Sequence, residues 1–260
     1  LIDIRNIRMS DRPPIIFIHG FIGTFDVAGF RAPYAAPHLL GYGDYLAVPT
    51  DRISLPAQVE HLRVFVDTTF GAAPVDLVGH SVGGAVAMLF AHAYPDRVRR
   101  IVNVEGNFTL EDAFWSASVG RMTPGEADAM LQGFKSDPVT WLRGALTGSR
   151  VDTASLAARW LDHQPASTLR AMGQSVIAVT GDPSYPVILQ QVFQRHPVSL
   201  LAGEHSRPGW HVPRWALDTC AGYDVLDGCG HLMMIDQPDA FASSVNRFLA
   251  AHEQPGYALT

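Results

Sequence analysis

Residues 75–90 constrain this chain more than any other stretch. Val75-Asp76-Leu77-Val78 is a short apolar run of the length expected for a buried strand, and Gly79 breaks it. Beyond it, Gly83, Gly84, Ala85, Val86, Ala87, Met88, Leu89 and Phe90 give a helix that its small residues allow to pack closely. The two elements meet at Gly79-His80-Ser81-Val82-Gly83, a Gly-x-Ser-x-Gly sequence. At such a turn the serine backbone is strained, so the residues two away on either side must lack bulk. The turn lifts the hydroxyl above the sheet edge, and the N–H of Val82 points at whatever that hydroxyl attacks. The spacing predicts an α/β sheet carrying a nucleophilic serine.

Three other strand ends supply matching chemistry. Ile15-Ile16-Phe17-Ile18 reads as a buried strand running into His19-Gly20-Phe21-Ile22-Gly23, where the N–H of Phe21 would face that of Val82 as a second oxyanion donor. Arg100-Ile101-Val102-Asn103-Val104 is the next strand after the serine's helix. One helical crossover makes it parallel to the serine's strand and adjacent to it. Glu105, at its end, therefore shares an edge with Ser81. A carboxylate there needs a partner, and capping the following helix or pairing with an arginine would also provide one. Finally, Gly228-Cys229-Gly230-His231 lies between the last strand, 222–227, and the last helix, opened by Pro238. From that loop His231 can reach Ser81 as general base.

The remaining chain divides by character. Residues 1–9 alternate apolar and polar and suggest an edge strand or short hairpin; 25–44 read as loop with one helical turn; Asp44 to Val48 suggests a short strand. Ser54 caps a helix that ends at Gly71. Residues 107–196 show six short helices and no convincing strand, the first starting at Thr109 with Asp112. They are expected to form a helical cap inserted into a core of residues 1–106 and 197–260. Phe114, Trp115, Trp141 and Trp160 fall in that segment as candidates for its core or for an apolar pocket.

At 260 residues the chain is long enough for one large α/β domain with such an insertion. The net charge of −6, with no basic run, excludes nucleic acid as the expected partner and leaves a small-molecule substrate. A monomer or homodimer is expected. Cys220 and Cys229 are too few for a disulfide framework and are expected as free buried thiols. No apolar run reaches a membrane-spanning length. The expected location is the cytoplasm, although a start at Leu1 rather than Met leaves room for a missing N-terminal piece and export. Glu204, His205 and His211 lack helical metal-ligand spacing and are read as loop residues, so neither a metal nor a cofactor is expected.

On His19-Gly20-Phe21, Gly79-His80-Ser81-Val82-Gly83-Gly84, Pro95-Asp96-Arg97-Val98 and Gly228-Cys229-Gly230-His231, the chain resembles the α/β-hydrolase fold superfamily from about residue 14 to its end. The resemblance implies a mostly parallel twisted sheet with helices on both faces. It also implies Ser81 as nucleophile, His231 as base, and the Phe21 and Val82 N–H groups as oxyanion hole. One departure matters. In most relatives the triad acid stands three residues beyond the glycine that here is Gly203, and this chain has Ser206 there. A minority, among them some haloalkane dehalogenases and lactone hydrolases, take the acid from the end of the strand following the nucleophile. Glu105 occupies that place, with Glu204 and Asp227 as reserves. Haloalkane dehalogenases and epoxide hydrolases need an aspartate where Ser81 stands. The expected activity is therefore an esterase or lactonase acting on a small to medium apolar substrate through an acyl-enzyme. A lyase, C–C hydrolase or cofactor-free oxygenase on the same scaffold is the alternative, and a non-enzymatic ligand receptor a more distant one.

Overall fold

Short, largely apolar strands, most of them separated by helical segments, leave parallel pairing as the simplest solution, and a single parallel sheet results. The computed structural model describes residues 12–30, 32–148 and 152–250. Its strands are β1 (Ile15–Ile18), β2 (Tyr34–Ala35), β3 (Val75–His80), β4 (Val98–Val104), β5 (Val198–Gly203) and β6 (Gly222–Leu226). They run in the order β2-β1-β3-β4-β5-β6, all parallel. The register pairs His80 with Val104 and Val104 with Leu201, so the central strands end level with one another.

Parallel strands are covered on both faces, and β1, β3 and β5 are buried throughout. The pleat sorts their side chains. Ile16, Ile18, Leu77, Ile101 and Leu200 face α1 (Leu55–Phe70) and α2 (Val82–Ala93), meeting Leu62, Val66, Val86 and Phe90. Ile15, Phe17, Val78, Val102 and Leu201 face the other way, onto Phe241, Val245 and Phe248 of the last helix. Ser54 caps α1, accepting from the N–H of Ala57, and Pro56 sits in its first turn.

Between β4 and β5 the chain runs through six helices: α3 (Phe114–Arg121), α4 (Pro124–Ser136), α5 (Pro138–Ala145), α6 (Thr153–Asp162), α7 (Ala166–Thr180) and α8 (Tyr185–Arg195). Thr123 and Glu126 form a capping box on α4. Helix α7 packs on α3 and α4, α5 on α6, and α8 on α2 beside the sheet. After β5 come α9 (Arg214–Thr219), then β6, α10 (Met233–Asp236) and α11 (Pro238–Ala250). Among the described residues no helix is long and apolar enough to cross a membrane.

Two local expectations are corrected. Residues 44–48 do not form a strand: a single tight helical turn covers Gly43–Tyr45, because Gly41 and Gly43 adopt positive φ and the Tyr42 ring is fully buried. The edge beside β1 is instead taken by the two residues of β2, too few to show a period in the sequence. Asp112 does not open a helix at Thr109. Its carboxylate accepts from the N–H groups of Phe108 and Thr109, turning the chain first, and α3 begins at Phe114. Burial raises the Asp112 carboxyl to about 6. The strand or hairpin expected over residues 1–9 lies outside the described residues. Both cysteines are free thiols, Cys229 buried and Cys220 partly so.

Candidate active site

The site forms where β1, β3, β4 and β6 end. Ser81 is the first residue beyond β3, and its N–H still extends the ladder, donating to Val104 O at 3.0 Å. Its backbone then turns to φ 54° and ψ −125°, a region that costs a non-glycine residue about 1–3 kcal/mol. The next residue, Val82, opens α2, and the N–H of a first helical residue has no partner within its helix.

The turn is possible only because its flanks are bare. A Cβ on Gly83 would lie 2.2 Å from Ile18 O and 2.5 Å from His19 O, and one on Gly79 would lie 2.5 Å from Gly83 O. All three obstacles are backbone. Gly83→Ala is therefore expected to lower stability by about 1–3 kcal/mol, the cost of overpacking, read as a fall of several degrees in the thermal midpoint. An unchanged midpoint would show that β1 and α2 can separate more freely than this packing implies.

Glu105 repeats the geometry of Ser81 one strand over. It is the first residue beyond β4, its N–H donates to Leu201 O at 3.1 Å, and its φ is 45°. These are the two non-glycine residues with positive φ among those described. The left-handed turn swings the Glu105 carboxylate under the loop after β6. Oε2 accepts from His231 Nδ1 at 2.5 Å; Oε1 accepts from the Gly203 N–H at 2.8 Å and from Ser206 Oγ at 2.6 Å. The carboxylate side chain is 3% exposed, so these three donors are what offset the cost of burying it. The His231 side chain is 43% exposed. The pair thus has a buried acid and an accessible imidazole. With Nδ1–H on the carboxylate, Nε2 carries the lone pair.

The loop bearing His231 is tied at each step. Gly228 N–H donates to Glu204 Oε2 at 2.7 Å, and Gly230 N–H to Asp236 Oδ2 at 3.2 Å. Thr147, from the segment after α5, donates its hydroxyl to Gly228 O at 2.6 Å, and its N–H reaches Asp236 Oδ1 at 2.9 Å.

On the β1 side, His19 Nε2 accepts from the Leu39 N–H at 3.2 Å, so Nδ1 holds the proton it donates to Gly20 O at 2.9 Å. Burial pushes the His19 imidazole down to about 3, which keeps it neutral. A trans peptide directs its N–H away from its carbonyl. Fixing Gly20 O therefore fixes the direction of the Phe21 N–H. Gly20 abuts the serine: a Cβ there would come within 3.3 Å of Ser81 Cβ. Tyr42 holds the next carbonyl, its hydroxyl donating to Phe21 O at 3.0 Å, and Trp115 of α3 lies edge-on to the Phe21 ring at 5.3 Å.

A profile of the alpha/beta hydrolase family matches residues 15–244, nearly the whole of the described chain. The chain belongs to the alpha/beta hydrolase family. It is 27% identical over 271 residues to the uncharacterized protein Rv2715 of Mycobacterium tuberculosis, covering 94% of this chain and 77% of that one. It is also 27% identical over 236 residues to lipase LipV of the same species, covering 82% of each. Among solved structures, epoxide hydrolase CorEH superposes with a TM-score of 0.68 at 20% identity, over 92% of this chain and 91% of that one. That likeness is one of fold.

Of the residues singled out in this hydrolase-family chain, Glu105 and His231 are in direct contact, and Ser81, Phe21 and Val82 line the same sheet edge. Glu105 neither caps a helix nor meets an arginine in these contacts. The reserves lie elsewhere. Glu204 is exposed and holds Gly228, and Asp227 is exposed with its carbonyl accepting from Gln237. His211 pairs with Glu111. The role of Ser206 as a donor to Glu105 is not evident from the sequence. The available signal was a hydroxyl standing three residues after Gly203, where relatives carry the acid.

Proposed function

We propose that this chain is a cofactor-independent serine hydrolase that cleaves a carboxylic ester or lactone of a small to medium apolar substrate. The observation that carries the reading is the 2.5 Å contact of buried Glu105 with accessible His231, at the same sheet edge as a serine held at φ 54°. The relationship to a lipase, LipV, supports ester chemistry.

In this reading Ser81 Oγ attacks the carbonyl carbon. His231 Nε2 takes the hydroxyl proton, and Glu105 stabilises the imidazolium that results. The N–H groups of Phe21 and Val82 receive the negative oxygen of the tetrahedral intermediate, each such donor being worth about 3 kcal/mol. His231 then returns the proton to the leaving alcohol oxygen, which departs and leaves an ester on Ser81. Water, activated by the same imidazole, attacks that acyl-enzyme and restores the free serine. A lactone follows the same steps, its leaving oxygen remaining tethered to the acyl group.

Helices α3 to α7 act as the lid over this edge, while α8 packs on α2 beside the sheet. Trp115 supports the assignment: it reaches from α3 to the ring of Phe21, whose N–H is a proposed oxyanion donor. An apolar acyl chain would then lie against that indole. The test is intact mass after fluorophosphonate treatment, together with a panel of p-nitrophenyl esters and simple lactones. One adduct and turnover of members of the panel are expected. A folded protein that gains no adduct and turns over neither class would end the hydrolase reading.

A further inference from the structure

His80 stands between the strand glycine and the serine, and the chemistry above does not use it. It is buried, yet its Nε2 lies 3.0 Å from the backbone carbonyl of His231. A carbonyl only accepts, so Nε2 carries a proton and donates. Burial drives the His80 imidazole well below the ordinary histidine range, with the nearby His231 as a second cause, which keeps the ring neutral. The two rings lie with centroids 4.5 Å apart. On its other side the ring faces the oxyanion loop: a Cβ on Gly20 would fall 2.8 Å from His80 Nδ1. Gly228 and Gly230 are anchored through their N–H groups by Glu204 and Asp236, whereas the carbonyl of His231 itself is anchored by His80.

We propose that His80 is a positioning residue that ties the base-bearing loop to the serine turn, setting the reach of the His231 imidazole toward Ser81 through its hydrogen bond to the His231 carbonyl. The inference rests on the serine hydrolase reading. Its physical basis is that His80 and Ser81 are consecutive. A bond from the buried His80 ring to the His231 backbone ties the base to the residue next to the serine through a single packed side chain. A misplacement of about 1 Å at such a site costs on the order of a hundredfold in rate.

The test compares wild type, His80→Leu, His80→Asn and His80→Gln. Glutamine carries an amide N–H near the position of Nε2; asparagine stops short of it, and leucine has no donor. Folding is checked by near-ultraviolet circular dichroism. The rate constant for fluorophosphonate labelling is measured, with kcat and KM for p-nitrophenyl butyrate. His80→Leu and His80→Asn are expected to lose about tenfold or more in labelling rate and kcat, with KM changed less than about twofold, while His80→Gln stays within about threefold of wild type. Wild-type labelling rates in either variant lacking a donor at the Nε2 position would overturn the proposal. So would a loss in His80→Gln equal to theirs, which would mark a packing role. A wild type that is itself unlabelled would instead overturn the hydrolase reading and this inference with it.

Discussion

Ser81→Ala is expected to gain no adduct from a fluorophosphonate and to lose ester turnover by about 10⁴-fold or more, while folding as wild type does. The loss is this large because nothing else on the strand edge can replace the hydroxyl. His231 and Glu105 form a base and its stabiliser, and neither takes the place of Oγ as the nucleophile that forms the acyl-enzyme. The fold should be indifferent, since Ala retains the Cβ that the turn already accommodates. Removing that Cβ as well reports on strain. Ser81 sits at φ 54° and ψ −125°, so Ser81→Gly is expected to be inactive but more stable than Ser81→Ala by about 1 kcal/mol. Intact mass and thermal unfolding of the two variants together check both statements. Labelling of Ser81→Ala at wild-type stoichiometry would mean the reactive nucleophile is another residue. A Ser81→Gly variant no more stable than Ser81→Ala would mean the turn is held without cost.

The site was readable in the sequence where chemistry and backbone geometry impose the same residue. Gly79 and Gly83 are such positions: the closeness of Ile18 O and Gly83 O forbids side chains there, and the spacing shows it. Strand order near the serine was readable too, because one crossover helix between β3 and β4 leaves little freedom. What failed to show were the distant contacts that support the acid and the base rather than make the pair itself. Ser206 meets Glu105 across 101 positions, and His80 meets His231 across 151. Neither pair leaves a periodic trace. The left-handed backbone of Glu105 was hidden as well, since glutamate is an unusual residue for φ 45°. The false strand at 44–48 came from a short apolar run whose direction is decided by Gly41, Gly43 and the buried Tyr42.

Glu105→Gln tests the less usual half of the assignment. The amide is close in size to the carboxylate, and its oxygen can still accept from Gly203 N–H and Ser206 Oγ, so folding should be nearly unchanged. Those two donors, however, dictate which way the amide turns. With its oxygen in the Oε1 place, its NH₂ faces His231 Nδ1, where wild type presents an acceptor. Two donors cannot share that contact. The imidazole must move its proton to Nε2 and accept at Nδ1, and Nε2 then has no lone pair for the serine proton. A tautomer error of this kind lowers kcat by about 10³–10⁴-fold, with KM little altered. Ser206→Ala leaves the charge and tautomer intact and removes one of two supports on Oε1. About tenfold is expected from it, in the range of one hydrogen bond to a charged group. The order Glu105→Gln far below Ser206→Ala, with Glu204→Gln and Asp227→Asn near wild type, is the signature of an acid at the end of β4. If Glu105→Gln stays within about threefold of wild type while Glu204→Gln or Asp227→Asn collapses, the acid lies on the β5 or β6 side, and the contact between Glu105 and His231 is only structural.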